Sequence, residues 1–147
     1  MARRTKQGKY KPNHPEKYKG DLSKIRYMSS WELNFHQFLD NNPNILEWTS
    51  ESIRIPYLKP TDGRVHMYLP DYWIKYVTRQ GELLEEIIEV KPDKETRAPR
   101  TVGKNKKTQL YEQITWAVND AKWKAANLYC QKKGIKFRII TEKHLFR

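Results

Sequence analysis

Pro70-Asp71 is followed, eighteen positions on, by Glu89-Val90-Lys91. Two carboxylates and an ammonium group at such places can hold a divalent cation beside a phosphate and steer water onto it. Glu85–Lys91 is a branched, apolar run ending in two charges, the mark of a strand. On a strand Glu89 and Lys91 leave one face, and Ile88 and Val90 the other. Asp71–Val77, rich in aromatic and branched residues, is a second strand. The polar connection Thr78-Arg79-Gln80-Gly81 suits a hairpin. Folding back about Arg79-Gln80 sets Asp71 opposite Ile88 or Glu89, and directly facing residues have Cβ atoms about 5 Å apart. Two carboxylates that close repel, and one pKa rises unless a cation sits between them. Mg²⁺ suits hard oxygen ligands and takes only one or two protein carboxylates. Lys91 would orient or activate the attacking water and offset phosphate charge. The competing reading is a solvated strand face with an ordinary ion pair.

The elements that must position these groups are legible in outline. Ser29-Ser30 precede Trp31, Phe35, Phe38 and Leu39, so a serine-capped amphipathic helix is expected from about residue 30 to Asp40. Glu32 falls at the border of its apolar stripe. By position it is either a first-turn charge favourable to the helix dipole or a third acidic group facing the strands, and position favours the dipole. Ile45–Trp48, Ile53–Tyr57 and Val65–Leu69 read as short strands. Pro92 to Lys107 is a polar, basic loop, expected to be a lid or a DNA-contacting element. Thr108–Lys133 returns to a helical pattern with Leu110, Ile114, Ala117, Ala121, Ala125 and Leu128 on one face. Asn119-Asp120 leaves one helix or two open. Gly134 is placed to cap it, and Ile135–Thr141 is a further strand. This order predicts an α/β fold, a mixed central sheet flanked by helices.

The chain has 147 residues, enough for one domain with a core, and a net charge of +12. That excess of Lys and Arg favours a polyanionic partner, most often nucleic acid. Cys130 is the only cysteine, which excludes an intrachain disulfide and a Cys-type zinc cluster. No apolar stretch is long enough for a membrane span and no secretory signal is evident, so a cytoplasmic product is expected. Residues 1–24 carry Arg3, Arg4, Lys6, Lys9, Lys11, Lys17, Lys19 and Lys24 against Glu16 and Asp21. They read as a basic extended N-terminal arm, either lying along phosphates, docking on a protein or solvated, ahead of a domain over 25–147.

The order helix-Glu, Pro-Asp, Glu-x-Lys, helix, strand resembles the PD-(D/E)xK nuclease superfamily. More narrowly, "YLPDYWIKY", "IIEVKPDKET" and "NDAKWKAANLYCQKKGIKFRIITE", with the helix at "SSWELNFHQFLD", are similar to the head completion nuclease family of tailed myophages. That family is related to the TnsA-type endonucleases of transposons. The resemblance spans most of the chain beyond the arm. It implies a restriction-endonuclease-like core with Glu32, Asp71, Glu89 and Lys91 at the active site, the three carboxylates as metal ligands. For Glu32 this reverses the reading from position. It also implies Mg²⁺-dependent endonuclease cleavage of double-stranded DNA, processing packaged ends before tail attachment. The expected partners are the phage portal or neck proteins, and the expected location is the head–neck region of the virion, with host cytoplasm during assembly. A QxxxY motif does not follow the lysine, since Gln109 is succeeded four residues on by Gln113.

A reading of a different class is a structural head–neck or DNA-end-binding virion protein with a dormant nuclease site. The basic arm and loop serve both readings. The quartet of three carboxylates and a lysine favours the enzyme, since a connector has no need to gather them.

Overall fold

The computed structural model describes residues 7–145. In chain order the elements are β1 (Gly8–Lys9), β2 (Arg26–Tyr27), α1 (Ser30–Asn41), β3 (Ile45–Ser50), β4 (Ile55–Lys59), β5 (Arg64–Tyr68), β6 (Tyr72–Val77), β7 (Leu83–Val90), α2 (Lys106–Lys133), β8 (Lys136–Ile140) and α3 (Glu142–Leu145). The central sheet is mixed, in the order β3-β6-β7-β8, with β7 and β8 parallel and the other pairs antiparallel. The parallel pair is joined through α2, the crossover that parallel strands require. β4 and β5 form a separate two-stranded hairpin. The α/β architecture with helices on a mixed sheet is therefore the one expected.

Alternation along the strands divides the core into two layers. Tyr72, Ile74, Ile88 and Val90 join Trp31, Phe35 and Leu39 of α1 around the fully buried Trp48. Ile87 instead joins Trp123, Ala126 and Cys130 of α2, with Ile55, Tyr57 and Tyr68 from the β4–β5 hairpin. The β6–β7 turn closes with the Thr78 N–H on Glu82 O and the Gly81 N–H on Thr78 O, both 2.9 Å. Gly81 has φ +83°, a left-handed conformation that glycine reaches without a Cβ clash. This turn fixes the register, pairing Tyr72 with Ile88 and Val77 with Leu83.

Two expectations need correction. Residues 7–24 are not an extended arm free of the domain, for Tyr10 and Tyr18 are buried in the α1 layer and Tyr18 stands edge-on to Trp48 at 4.7 Å. β1 pairs with β2. Asp40, buried in α1, accepts from Tyr10 Oη, Asn13 N and His14 N at 2.6, 2.6 and 2.9 Å. Lys17 donates to the carbonyls of Leu39, Asp40 and Asn42 at 2.7–2.9 Å, a cation on the negative end of α1. The basic residues hid three aromatic and capping contacts that carry no periodicity. Arg3, Arg4 and Lys6 lie outside the described residues.

The second correction concerns α2. It is one 28-residue helix, capped by Asn105 and ended by Gly134, and its buried stripe is Asn119, Trp123, Ala126 and Cys130. Of the expected stripe, Leu110, Ile114, Ala117 and Leu128 are exposed, while Ala121 and Ala125 do pack against this core. Both stripes have helical spacing, but only the observed one buries a tryptophan while offering small residues that let the helix approach the sheet. In the loop before α2, the N–H of Asp93 donates to Glu142 Oε1 at 2.7 Å, and Asp93 pairs with Arg97 and Lys143. The start of that loop is thereby tied to α3.

Candidate active site

The β6–β7 register carries one step past Tyr72 and Ile88 to bring Asp71 alongside Glu89, on the face shared with Ile87 and α2. Asp71 is held twice. Its carbonyl accepts the Glu51 N–H at 3.0 Å, and its Oδ2 accepts the Val90 N–H at 2.8 Å. Glu89 is 7% exposed. Its Oε1 accepts the Tyr68 hydroxyl at 2.6 Å, and its Oε2 lies 3.8 Å from Lys91 Nζ. The backbone of Lys91 extends the β7–β8 pairing through its N–H to Ile140 O at 2.9 Å. Asp71, Glu89 and Lys91 thus converge at the ends of adjacent strands, and the Glu89–Lys91 ion pair of the competing reading is also present.

Electrostatics follow from that placement. Burial, then the charge of Glu89, push the Asp71 carboxyl well above the carboxylate range, and Glu32 adds to this while the Val90 N–H and Lys91 oppose it. Burial likewise raises Glu89, against the Tyr68 hydroxyl and Lys91. Two desolvated carboxylates facing each other form an anionic site that a cation would relieve. Among the described residues no three His, Cys, Asp or Glu side chains form a ready-made metal cluster. The pair itself offers hard oxygen donors, and that suits Mg²⁺, which keeps most of its waters and uses one or two carboxylates.

Glu32 stands apart from this pair in one respect. Ser29 Oγ accepts its N–H at 3.2 Å, and its own Oε1 accepts the Met28 N–H at 3.2 Å. It serves the helix start, as its position suggested, and its charge also reaches Asp71. Its carbonyl lies 3.2 Å from the Tyr72 hydroxyl.

Two residues escaped the sequence reading. Tyr68, from the separate β4–β5 hairpin, hydrogen-bonds Glu89; nothing in its spacing from Glu89 signals the contact. Lys122 on α2 reaches the same face, with its Nζ 5.6 Å from the centroid of the Tyr68 ring and 5.9 Å from that of Tyr57. Burial and the positive charge of Lys91 hold its ammonium below the usual lysine pKa, and Glu89 acts in the opposite direction. Its neighbours Trp123 and Asn119 on the buried stripe were the available signal. A groove of about 530 Å³, lined by Phe35, Phe38, Ile74 and Arg138 among others, involves none of Glu32, Asp71, Glu89 or Lys91.

Residues 42–142 match the family described as TnsA-like endonuclease N terminal, a span that contains Asp71, Glu89, Lys91, Tyr68 and Lys122 but begins after Glu32. The chain is also similar to the head completion nuclease of Enterobacteria phage T4, with 44% identity over 139 residues, covering 92% of this chain and 90% of the relative. Sharing that family pattern across the strands that pair Asp71 with Glu89, and that identity along nearly its whole length, the chain belongs to the TnsA-like endonuclease family, with its restriction-endonuclease-like α/β core.

Proposed function

We propose that this chain is a metal-dependent DNA endonuclease of phage head completion that processes packaged DNA ends before the tail joins. The observation that carries the reading is the buried Asp71–Glu89 pair with Lys91 beside it, on adjacent strands inside the endonuclease-matched segment. The name of the phage T4 relative, a head completion nuclease, supports the biological setting. A net charge of +12 supports a polyanionic substrate.

In this reading Asp71 and Glu89 would hold Mg²⁺, with Glu32 acting on the pair through its charge. When bound, the ion would supply Lewis-acid polarisation of the phosphate and a more acidic water. The protein's own residues do the rest. The Val90 N–H fixes the Asp71 carboxylate, and the Tyr68 hydroxyl fixes that of Glu89. Lys91 orients the attacking water and offsets charge building on the phosphate. Burial of the pair keeps both carboxylates poorly solvated, which strengthens their attraction for a cation.

The portal or neck proteins are the partners this setting calls for, and the head–neck vertex is the corresponding site of action. Among the described residues no helix is long and apolar enough to cross a membrane.

Purified protein incubated with linear and with covalently closed circular DNA, in Mg²⁺ and in EDTA, tests the proposal. Circles opened only in Mg²⁺ are expected. DNA bound but never cut would favour the structural, dormant-site reading.

A further inference from the structure

Several lysines of this fold already have partners. Lys17 spends its three N–H donors on three backbone carbonyls and is structural. Lys104 and Lys124 close surface ion pairs with Glu112 and Asp120. Lys122 does neither. It is partly buried on the side of α2 that faces the β4–β5 hairpin, and its ammonium meets no hydrogen-bond acceptor and no carboxylate within ion-pair distance among the described residues. It is nevertheless positioned, because two tyrosine faces flank it, an arrangement that favours a cation and restricts where its stem can swing. One of those rings belongs to Tyr68, whose hydroxyl is bound to Glu89. The charges that act on Lys122 are those of Lys91, Glu89, Lys59 and Asp71. A partly desolvated ammonium with unused donors, seated on the ring whose hydroxyl holds Glu89, is suited to an anion from outside the chain.

We propose that Lys122 is a second phosphate-binding cation of the site: delivered by α2 and steered by Tyr57 and Tyr68, it contacts a non-bridging oxygen of the DNA backbone that Lys91 also serves. This rests on the nuclease reading above and deepens it. Lys91 arrives from the central sheet and Lys122 from the crossover helix, and the two elements pack in one cluster through Ile87 and Trp123, so a backbone phosphate would be met by cations from both. An ammonium clamp of this kind contributes where charge builds in the transition state, and its removal should cost more in rate than in affinity. A basic chain keeps many other phosphate contacts for binding.

The test compares Lys122→Met, which keeps the packed stem, with Lys122→Arg and with the surface control Lys124→Met. Single-turnover cleavage of duplex DNA in Mg²⁺ and equilibrium binding in EDTA are measured for each. Lys122→Met should lose about 100-fold in cleavage with less than about threefold loss of binding, since most phosphate contacts remain. Lys122→Arg should recover part of the rate, and Lys124→Met should match the unsubstituted protein. Substrates with a single neutral methylphosphonate near the scissile bond supply the readout that a merely structural role would not move. One position should slow the unsubstituted protein strongly and Lys122→Met little. An unsubstituted protein that cleaves, with Lys122→Met equal to it, overturns the role of Lys122 alone. If Lys122→Met fails to fold, the methylphosphonate series on the unsubstituted protein decides, and insensitivity at every position overturns the proposal. A chain that cuts no DNA in Mg²⁺ overturns the nuclease reading, and this role with it.

Discussion

The Tyr68 hydroxyl donates to Glu89 Oε1 at 2.6 Å, joining the β4–β5 hairpin to the central sheet through a single buried bond. Both side chains lie under 10% exposed, so neither can exchange its partner for bulk water without the hairpin moving. A charge-assisted hydrogen bond in that setting both fixes the carboxylate and favours its ionised form. The hairpin is therefore coupled to a buried carboxylate of a strand with which it forms no ladder.

Tyr68→Phe removes the donor while keeping the ring. Stability should fall by about 1–3 kcal/mol, because an oxygen of buried Glu89 loses its partner. The hydroxyl lowers the Glu89 pKa, so its loss should move the acidic limb of the pH–rate profile to higher pH. Cleavage profiles from pH 5 to 9 check this; an unshifted limb would separate Tyr68 from the site.

Asp71→Asn should stabilise the metal-free protein near neutral pH, by about 1 kcal/mol, as often follows when a functional charge is neutralised. The sign follows from linkage. The folded pKa of Asp71 is raised, so its favourable contribution is present below the unfolded value and is lost as pH rises through the folded one. The asparagine variant escapes that loss. Added Mg²⁺ should raise the unfolding midpoint of the unsubstituted protein and not of the variant. Urea titrations at pH 5 and 8, with and without Mg²⁺, show whether the order reverses.

His36 gives an independent pH dependence of opposite sign. Its Nε2 lies 2.9 Å from Arg26 O, which can only accept, so Nε2 carries the proton and Nδ1 accepts the Tyr72 hydroxyl at 2.7 Å. Burial lowers its pKa from 6.5 to about 4. Stability from the neutral ring is complete above the unfolded pKa and is lost as pH falls through the folded one. The loss amounts to about 3 kcal/mol across that window. Urea midpoints should fall between pH 6.5 and 4.5, less steeply in His36→Gln; equal slopes would contradict the assignment.

The N-terminal segment yields a prediction that differs from the one its charge suggests. Lys17→Met leaves three carbonyls at the end of α1 without their cation and should cost about 2 kcal/mol. Deleting residues 1–20 removes Tyr10 and Tyr18 from around Trp48 and should impair folding, measured by near-UV circular dichroism. A deletion that changed only the salt dependence of DNA binding would mean that this packing contributes nothing.

Sequence spacing revealed most of the central frame. The period-2 pattern of Ile87–Lys91 and the turn at Gly81 were enough to set Asp71 opposite Ile88 or Glu89, because a hairpin register is a local property, and the pairing of Tyr72 with Ile88 selects Glu89. The serine cap of α1 was legible for the same reason. What the sequence hid is what depends on long-range packing. Tyr10 and Tyr18 sit among lysines, and nothing local says that Trp48 needs them. The two apolar stripes of α2 are equivalent by periodicity, and only the sheet beneath decides between them. Lys122 lies between Ala121 of the expected stripe and Trp123 of the observed one, so spacing alone does not single it out. Glu32 combines both cases, a helix-start carboxylate by position whose charge nonetheless reaches Asp71.

The most direct test of the buried carboxylate pair as a metal-dependent hydrolytic centre is the rate of opening covalently closed circular DNA. It is measured at saturating protein in Mg²⁺ for the unsubstituted chain and for Asp71→Ala and Glu89→Ala, each shown folded by circular dichroism. Mg²⁺-dependent opening by the unsubstituted chain is expected, with a loss of at least about a thousandfold in both variants. Cleavage at the unsubstituted rate in either variant would contradict that assignment.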